Sequence, residues 1–164
     1  MKVLKIFIIS VLIAVLIDAG ICLWKAAVAE EANGQAWVLC DPESYVNMRA
    51  KPNGRTVGGL DCGDHMWTDS VERNGFLHVV ELSAEDTTAW VSLRYVVFDE
   101  PREIMRDMKV TGNAKVACRK WVDGPRQSWI RPGNTVRVLW MSDSWAYTVR
   151  GYIRSEYLTE AGNE

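Results

Sequence analysis

Few side chains in this sequence have the chemistry of a nucleophile or a base, and they are far apart along the chain. The only two histidines, His65 and His78, lie in segments with the alternating pattern of strands. The strongest nucleophile candidate is Cys118, because the neighbouring Arg119 and Lys120 would favour its thiolate. A cysteine nucleophile needs a base within hydrogen-bond reach, and both histidines belong to the other half of the chain. The sequence therefore predicts no catalytic residue and a protein that is not an enzyme.

Metal and cofactor motifs do not occur in the sequence. There is no HExxH, no pair of CxxC motifs and no acidic loop with calcium-binding spacing. Gly58 and Gly59 are followed by Leu60 and Asp61, without the lysine and the helix that a phosphate-binding loop requires. We therefore expect no cofactor and no metal site.

Tryptophan is the second chemical signal, with eight residues in a chain of 164. Four of them are interleaved with arginine and lysine in the second half of the sequence. Exposed indoles beside cations stack on sugars or peptide groups, whereas buried indoles would supply core volume to a small domain; the sequence leaves both roles open. The expected ligand-binding residues are Arg119, Lys120, Trp121, Arg126, Trp129, Arg131 and Trp145.

The elements that must position these residues read as short strands. Segments rich in Val, Trp, Tyr and Thr are separated by turn signals, the strongest of which is Asn74-Gly75. The strand and turn pattern occurs twice and closes on similar endings, at Trp90 to Val96 and at Tyr152 to Leu158. The sequence thus predicts an all-β chain of two related modules.

The first copy carries a family resemblance. Its segments VNMRAKPNGRTVGGLDCGDHM, NGFLHVV and AWVSLRYV resemble the bacterial SH3-like (SH3b) domain, with Ala89 at a position where that family usually has glycine. The second copy ends in RGYIRSEYL, with Tyr152 in place of the usual tryptophan, and its opening AKVACRKWVDGP lacks the Asn-x-Arg-x₂-Pro signature. The resemblance implies two tandem small SH3-like barrels, and in this family such barrels bind cell-wall peptidoglycan or peptides without catalysis.

The N-terminal residues have the parts of an export signal. A basic start is followed by an apolar run from Val3 to Ile17 and by the tripeptide Ala27-Val28-Ala29. We expect a signal peptide cleaved after Ala29; an uncleaved membrane anchor is the alternative, because the apolar stretch extends towards Trp24. Either arrangement predicts an extracytoplasmic protein that is secreted or associated with the cell surface, and that contacts the membrane only through this segment if it is uncleaved. The expected organisation is 1–29 signal peptide or anchor, 36–99 first barrel, 100–108 linker and 109–160 second barrel.

Charge is distributed unequally between the two modules. The whole chain has a net charge of −2, but acidic residues predominate from 36 to 99 and basic residues from 109 to 158. Either the modules dock through complementary charges, or the basic module faces an anionic polymer. Basic residues beside aromatics are also typical of nucleic-acid binding, but an exported chain of negative net charge argues against it, so we expect no nucleic acid.

Two cysteines of the first module are candidates for a disulfide bond. Cys40 and Cys62 each end a strand signal, and small extracytoplasmic domains commonly add disulfides. We therefore expect a Cys40–Cys62 disulfide; the alternative is that both are small buried apolar residues.

These observations predict a non-enzymatic exported binding protein. The expected partner is cell-wall glycan or peptide, or an anionic wall polymer. Two alternatives remain: a membrane-anchored interaction protein that binds a protein partner, and an accessory subunit that targets a separate wall hydrolase.

Overall fold

Two antiparallel sheets of seven strands account for nearly all of the chain that the computed structural model describes, which is residues 34–82 and 85–161. The predicted signal segment 1–29 lies outside these residues. The predicted all-β class is confirmed. No helix in the described ranges is long and apolar enough to cross a membrane.

The first sheet, here called the first barrel, wraps around its own apolar core. Its hydrogen-bonded order is β3-β2-β6-β5-β4-β1-β7, and a 3₁₀ turn at Leu93–Tyr95 precedes the last strand. The strands are β1 Gly34–Val38, β2 Val46–Arg49, β3 Thr56–Leu60, β4 His65–Arg73, β5 Phe76–Leu82, β6 Glu85–Ser92 and β7 Val96–Val97.

The second sheet, here called the second barrel, has the same order of equivalent strands, β10-β9-β13-β12-β11-β8-β14. A 3₁₀ turn at Ser155–Tyr157 again precedes the last strand. The strands are β8 Arg102–Val110, β9 Val116–Arg119, β10 Arg126–Ile130, β11 Thr135–Met141, β12 Trp145–Thr148, β13 Gly151–Arg154 and β14 Leu158–Glu160.

Alternation of side chains explains how each sheet encloses a core. In β11, Val136 and Val138 point inwards and are buried, while Thr135 and Arg137 between them are exposed. The hairpin between β4 and β5 turns at Asn74 and Gly75, whose φ angles of 53° and 76° are both positive, as a two-residue turn of type I′ requires. The hairpin predicted at this dipeptide is confirmed.

Equivalent hydrogen bonds recur in the two barrels. Arg49 Nη1 donates to the carbonyl oxygen of Gly54 at 2.8 Å, and Arg119 Nη1 donates to that of Gly124 at 2.7 Å. Arg119 therefore takes the place of Arg49, although the opening of the second copy does not match the family signature in sequence. The internal repeat is a repeat of structure, and both arginines hold the turn that follows β2 or β9.

The segment 100–108, which the sequence predicts to be a linker, is a strand over most of its length. From Arg102 it belongs to β8, which pairs with β11 and β14. Met105 has a φ of 47°, and the register against β11 shifts nearby, so the strand contains a bulge. The second sheet thus begins before residue 109.

The two barrels meet through a mixed apolar and hydrogen-bonded junction. Leu39 and Val97 of the first barrel pack with Trp145 and Tyr152 of the second, and all four side chains are buried. Ser144 donates through its hydroxyl and its backbone N–H to the carboxylate of Asp99, at 2.6 and 2.7 Å. These contacts join the two barrels in one compact unit.

Ion pairs contribute little to this junction. Among the described residues every ion pair lies within one barrel; those of the second barrel include Arg154 with Asp123 at 2.7 Å and Arg106 with Glu160 at 2.8 Å. The opposite charges of the two barrels are therefore not matched by salt bridges across the junction. Apolar contact and neutral or ion–dipole hydrogen bonds hold it instead.

Candidate functional site

An open groove of about 1100 Å³ follows the junction of the two barrels. It has an acidic and basic lining with aromatic side chains between the charges. We call it the junction groove and define it by Arg49, Arg94 and Phe98 of the first barrel and Trp121, Asp123 and Arg154 of the second.

Trp121 reaches the groove because of the turn that links β9 to β10. Its backbone carbonyl accepts a hydrogen bond from Gly124 N at 2.9 Å, and Asp123 has a positive φ of 51°. A Cβ on Gly124 would lie 2.4 Å from Cδ1 of the indole, so only glycine permits the indole to fold back over the turn. The sequence Trp-Val-Asp-Gly thus fixes the ring at the groove wall.

Arg94 stacks on that ring from the opposite barrel. Its guanidinium carbon lies 4.2 Å from the ring centroid of Trp121, a distance at which cation–π attraction is favourable. The backbone carbonyl of Arg94 accepts a hydrogen bond from Val122 N at 3.0 Å, so the two segments are also fixed to each other by main chain. Lys120 contributes a second, more distant cation, 5.7 Å from the same centroid.

The acidic groups of the groove differ in how fully they are satisfied. Asp123 pairs with Arg154 at 2.7 Å. Asp99 accepts the two hydrogen bonds from Ser144; burial acts to raise its pKa, but these bonds and one from Ser142 hold the pKa below its usual range. Asp99 therefore remains ionised near neutral pH, and both carboxylates already have donors.

The basic groups include two that no carboxylate neutralises. Neither Arg49 nor Arg94 forms an ion pair with a carboxylate of the described residues. Arg94 is exposed, and the hydrogen bond to Gly54 uses only one nitrogen of Arg49. The groove therefore holds arginine N–H donors available to a ligand.

The predicted ligand-binding residues are not gathered in one place. Of the seven, Trp121 and Trp145 line the groove. Arg126 and Trp129 form a separate exposed pair on β10, an edge strand, with the guanidinium 4.5 Å from the ring centroid. Arg131 is exposed in the turn before β11, and Arg119 serves its own turn, as described above.

Trp145 is buried and does not present its ring for a ligand to stack on. Its side chain is only 2 % exposed, and it packs in the junction cluster with the guanidinium of Arg154 4.1 Å from its ring. This indole fills core volume between the barrels. The sequence did not indicate Arg94 and Phe98 of the first barrel, or Asp123 and Arg154 of the second, as groove residues. No local motif marks them, because the groove forms only where two barrels meet.

The thiols occupy two different environments. Cys118 is fully buried, its Sγ donates to the carbonyl oxygen of Arg150 at 2.8 Å, and burial raises its pKa. The neighbouring cations therefore do not activate it as the sequence suggested. Cys40 and Cys62 are free thiols that contact each other: Cys40 N donates to Cys62 Sγ at 3.3 Å, and a hydrogen bond from the Cys40 thiol lowers the pKa of Cys62.

Both histidines lie on the outer face of the first barrel. His78 Nδ1 is 2.8 Å from Asp69 Oδ2, and its ring packs against Trp90. Burial acts to raise the pKa of Asp69, but hydrogen bonds from His78 and from Val71 N hold it below its usual range. Within the described ranges no three His, Cys, Asp or Glu side chains converge as metal ligands.

Comparison with known proteins gives low similarities. No family model matches the sequence, and no curated protein matches it. Among solved structures, NlpC1 from Trichomonas vaginalis aligns with 17% sequence identity and a TM-score of 0.33 over 77% of this chain and 45% of that one. NlpC2 from the same organism aligns with 16% identity and a TM-score of 0.32 over 77% of this chain and 48% of that one. The chain spans about half the length of these two structures.

Proposed function

We propose that this protein is an exported, non-enzymatic binding protein that associates with cell-wall peptidoglycan through the junction groove. The observation that supports the proposal most directly is the stack of Arg94 on Trp121 at the wall of an open groove. A groove lined by aromatic and charged side chains suits a ligand that offers both apolar surfaces and charged groups. The resemblance of the first copy to SH3b domains agrees with this ligand class.

The proposal places the protein outside the cytoplasm, secreted or held at the cell surface. The tandem SH3b assignment of the two barrels belongs to the same proposal, since the duplicated strand order supports two related barrels. A membrane-anchored protein that binds a protein partner, or that targets a separate hydrolase, is the competing function.

Sedimentation of the full-length chain with purified, protein-free sacculi tests the proposal. We expect retention by sacculi, with and without attached anionic polymer. Trp121→Ala should weaken it by about 1–2 kcal/mol, or roughly tenfold, through lost stacking. Trp129→Ala is the matched control, because it removes an equally cation-stacked indole outside the groove and should leave retention unchanged.

Each variant must first show the thermal transition of the parent, because Trp121 is half-buried. If Trp121→Ala unfolds, Trp121→Phe keeps an aromatic ring and should show a smaller loss of binding. Loss of retention in Trp129→Ala alone would move the site to the edge strand β10. A parent that never sediments with protein-free sacculi at any salt concentration would make a protein partner the leading function.

A further inference from the structure

The lining of the groove is balanced in charge, but its charged groups differ in whether they have a partner. Three arginines line it, Arg49, Arg94 and Arg154, together with the carboxylates Glu72, Asp99 and Asp123. Asp123 is paired with Arg154, so the groups of the lining without an ion pair are the cations Arg49 and Arg94 and the carboxylates Glu72 and Asp99. Of these carboxylates, Asp99 already accepts two hydrogen bonds from Ser144. Such a lining favours one compact anionic group rather than a dense polyanion, which the three carboxylates would repel.

Arg94 has the geometry of a carboxylate receptor. The face of its guanidinium lies on the indole of Trp121, which leaves the N–H groups at the rim of the plane free to donate. Planar N–H pairs of arginine match the two oxygens of a carboxylate, and stacking reduces the rotamer freedom that binding would otherwise remove. The indole therefore orients the cation before a ligand arrives.

An apolar side chain lines the same groove as these cations. Phe98 lines the same groove, and its side chain is 59 % exposed, although phenylalanine is among the residues most often buried. A neutral glycan would make use of the aromatic rings but leave both arginines without a partner. A short peptide with a free carboxylate and small apolar side chains uses both features.

We propose that the junction groove recognises the peptide part of peptidoglycan by a free carboxylate, which Arg94, stacked on Trp121, receives with Arg49 as the second cation. This inference rests on the proposed function and names the chemical group that the groove selects. The sugar backbone of the wall polymer then contributes little to binding in the groove.

Chemical amidation of the wall tests the inference without altering its sugars. Protein-free sacculi stripped of anionic polymer are divided, and the carboxylates of one half are amidated with a carbodiimide and ammonia. We expect the full-length chain to bind the amidated sacculi about tenfold or more weakly, because a charge-assisted hydrogen-bond pair is lost. Arg94→Gln should bind untreated sacculi with a similar loss and should no longer respond to amidation.

Arg126→Gln is the matched control, because Arg126 is also exposed and also stacked on an indole, but lies outside the groove. It should bind as the parent does and keep the response to amidation. Arg94→Lys keeps the charge but not the planar pair of donors, and we expect intermediate binding. Muropeptides released from the same sacculi, with free or amidated carboxylates, give the same comparison on the parent protein alone if Arg94→Gln fails to fold.

The outcomes separate the two proposals. Equal binding of native and amidated sacculi would overturn carboxylate recognition and leave peptidoglycan binding intact. A loss in Arg126→Gln equal to that in Arg94→Gln would also overturn the assignment to the groove. Absence of binding to untreated sacculi would remove both proposals.

Discussion

The phenolic hydroxyl of Tyr152 donates a hydrogen bond of 2.8 Å to the carbonyl oxygen of Leu39, and this contact joins the two barrels. Both residues are buried. Burial raises the pKa of Tyr152, so its hydroxyl remains a protonated donor throughout the neutral range. Tyr152 occupies a place where the first barrel has Trp90, since Trp90 pairs with Arg49 and Tyr152 with the equivalent Arg119. The second copy thus presents a hydroxyl to its neighbour at this position.

Removing that hydroxyl should destabilise the whole described unit. Tyr152→Phe leaves the buried carbonyl of Leu39 without this donor, and we expect a loss of about 1–3 kcal/mol in the free energy of unfolding. Denaturant titration followed by tryptophan fluorescence measures it. Tyr157→Phe is the control, because its partly exposed ring should allow a change of less than about 0.5 kcal/mol. Equal effects would show that the junction bond contributes nothing specific.

Two equivalent glycines separate the cost of backbone strain from the cost of disturbing the junction. Gly63 and Gly133 have φ angles of 92° and 86°. Each donates its N–H to the carbonyl oxygen of the residue that ends the first strand of its copy, Val38 in β1 and Val110 in β8. A Cβ on Gly63 would lie 2.8 Å from the ring of Trp140 in the other barrel, whereas one on Gly133 would meet nothing within 4 Å.

Alanine at either glycine should cost about 1–2 kcal/mol of left-handed strain. We expect Gly63→Ala to cost at least about 1 kcal/mol more, because Trp140 must also shift. The difference in the free energy of unfolding between the two variants is the measurement. If both variants lose the same free energy of unfolding, the ring of Trp140 moves away from a side chain at position 63 without destabilising the protein.

The segment 100–108 should resist proteolysis despite its charge. A linker there would be cleaved first and would release two stable modules, but from Arg102 to Met108 the segment pairs with β11, and at Met108 it also pairs with β14. We expect one cooperative unfolding transition for residues 34–161 and no early cleavage in β8. Early cuts at Arg102 or Arg106 with two resistant fragments would instead support independent modules.

The parts of the fold that the sequence predicted are those with local chemical causes. Asn74-Gly75 specifies a turn by itself, and the repeated endings place Tyr95 and Tyr157 in equivalent 3₁₀ turns. The strand β8 was missed because only Met108 and Val110 in it are buried, and the bulge at Met105 interrupts the alternation that reveals a strand.

The groove was less predictable than the fold. Trp121 and Trp145 are hard to distinguish by sequence alone. Contact with the first barrel places Trp121 at the groove wall and buries Trp145 in the junction. Arg94 carries no local signal because it follows an ordinary closing strand. The distinction depends on how two barrels dock, which is a long-range property that residue spacing within one copy does not express.

Asp99 should make the junction sensitive to acid. Its pKa is depressed in the folded state, so its stabilising effect is present above the pKa of an unfolded aspartate, about 3.9, and is lost as pH falls through the lower folded value. We expect Asp99→Asn to be less stable than the parent at pH 7 and the gap between them to narrow below about pH 4. A gap that is constant from pH 7 to pH 3 would show that ionisation of Asp99 does not matter at the junction.

The final prediction concerns a disulfide between Cys40 and Cys62. The two residues are free thiols in the structure, but they lie next to each other. Cys40 is buried and Cys62 is half-buried beside Gly63, at the edge of the junction. Because the Cys40 thiol donates to Cys62, the thiolate of Cys62 forms more readily than that of an ordinary cysteine, which favours its oxidation with Cys40 in an extracytoplasmic setting. Closing the loop between them, 22 residues apart in sequence, should stabilise the protein by about 3 kcal/mol in the chain-entropy model.

Alkylation followed by mass spectrometry checks the pairing in the chain that begins after residue 29. If the bridge forms, the folded protein should take up no label, because Cys118 is buried; unfolding should expose one thiol, and reduction should expose three. Cys40→Ser should melt at a lower temperature than the oxidised parent and at nearly the same temperature as the reduced parent. Labelling of Cys62 in the folded, unreduced protein would show that the two sulfurs remain thiols, and their contact would then be one of packing alone.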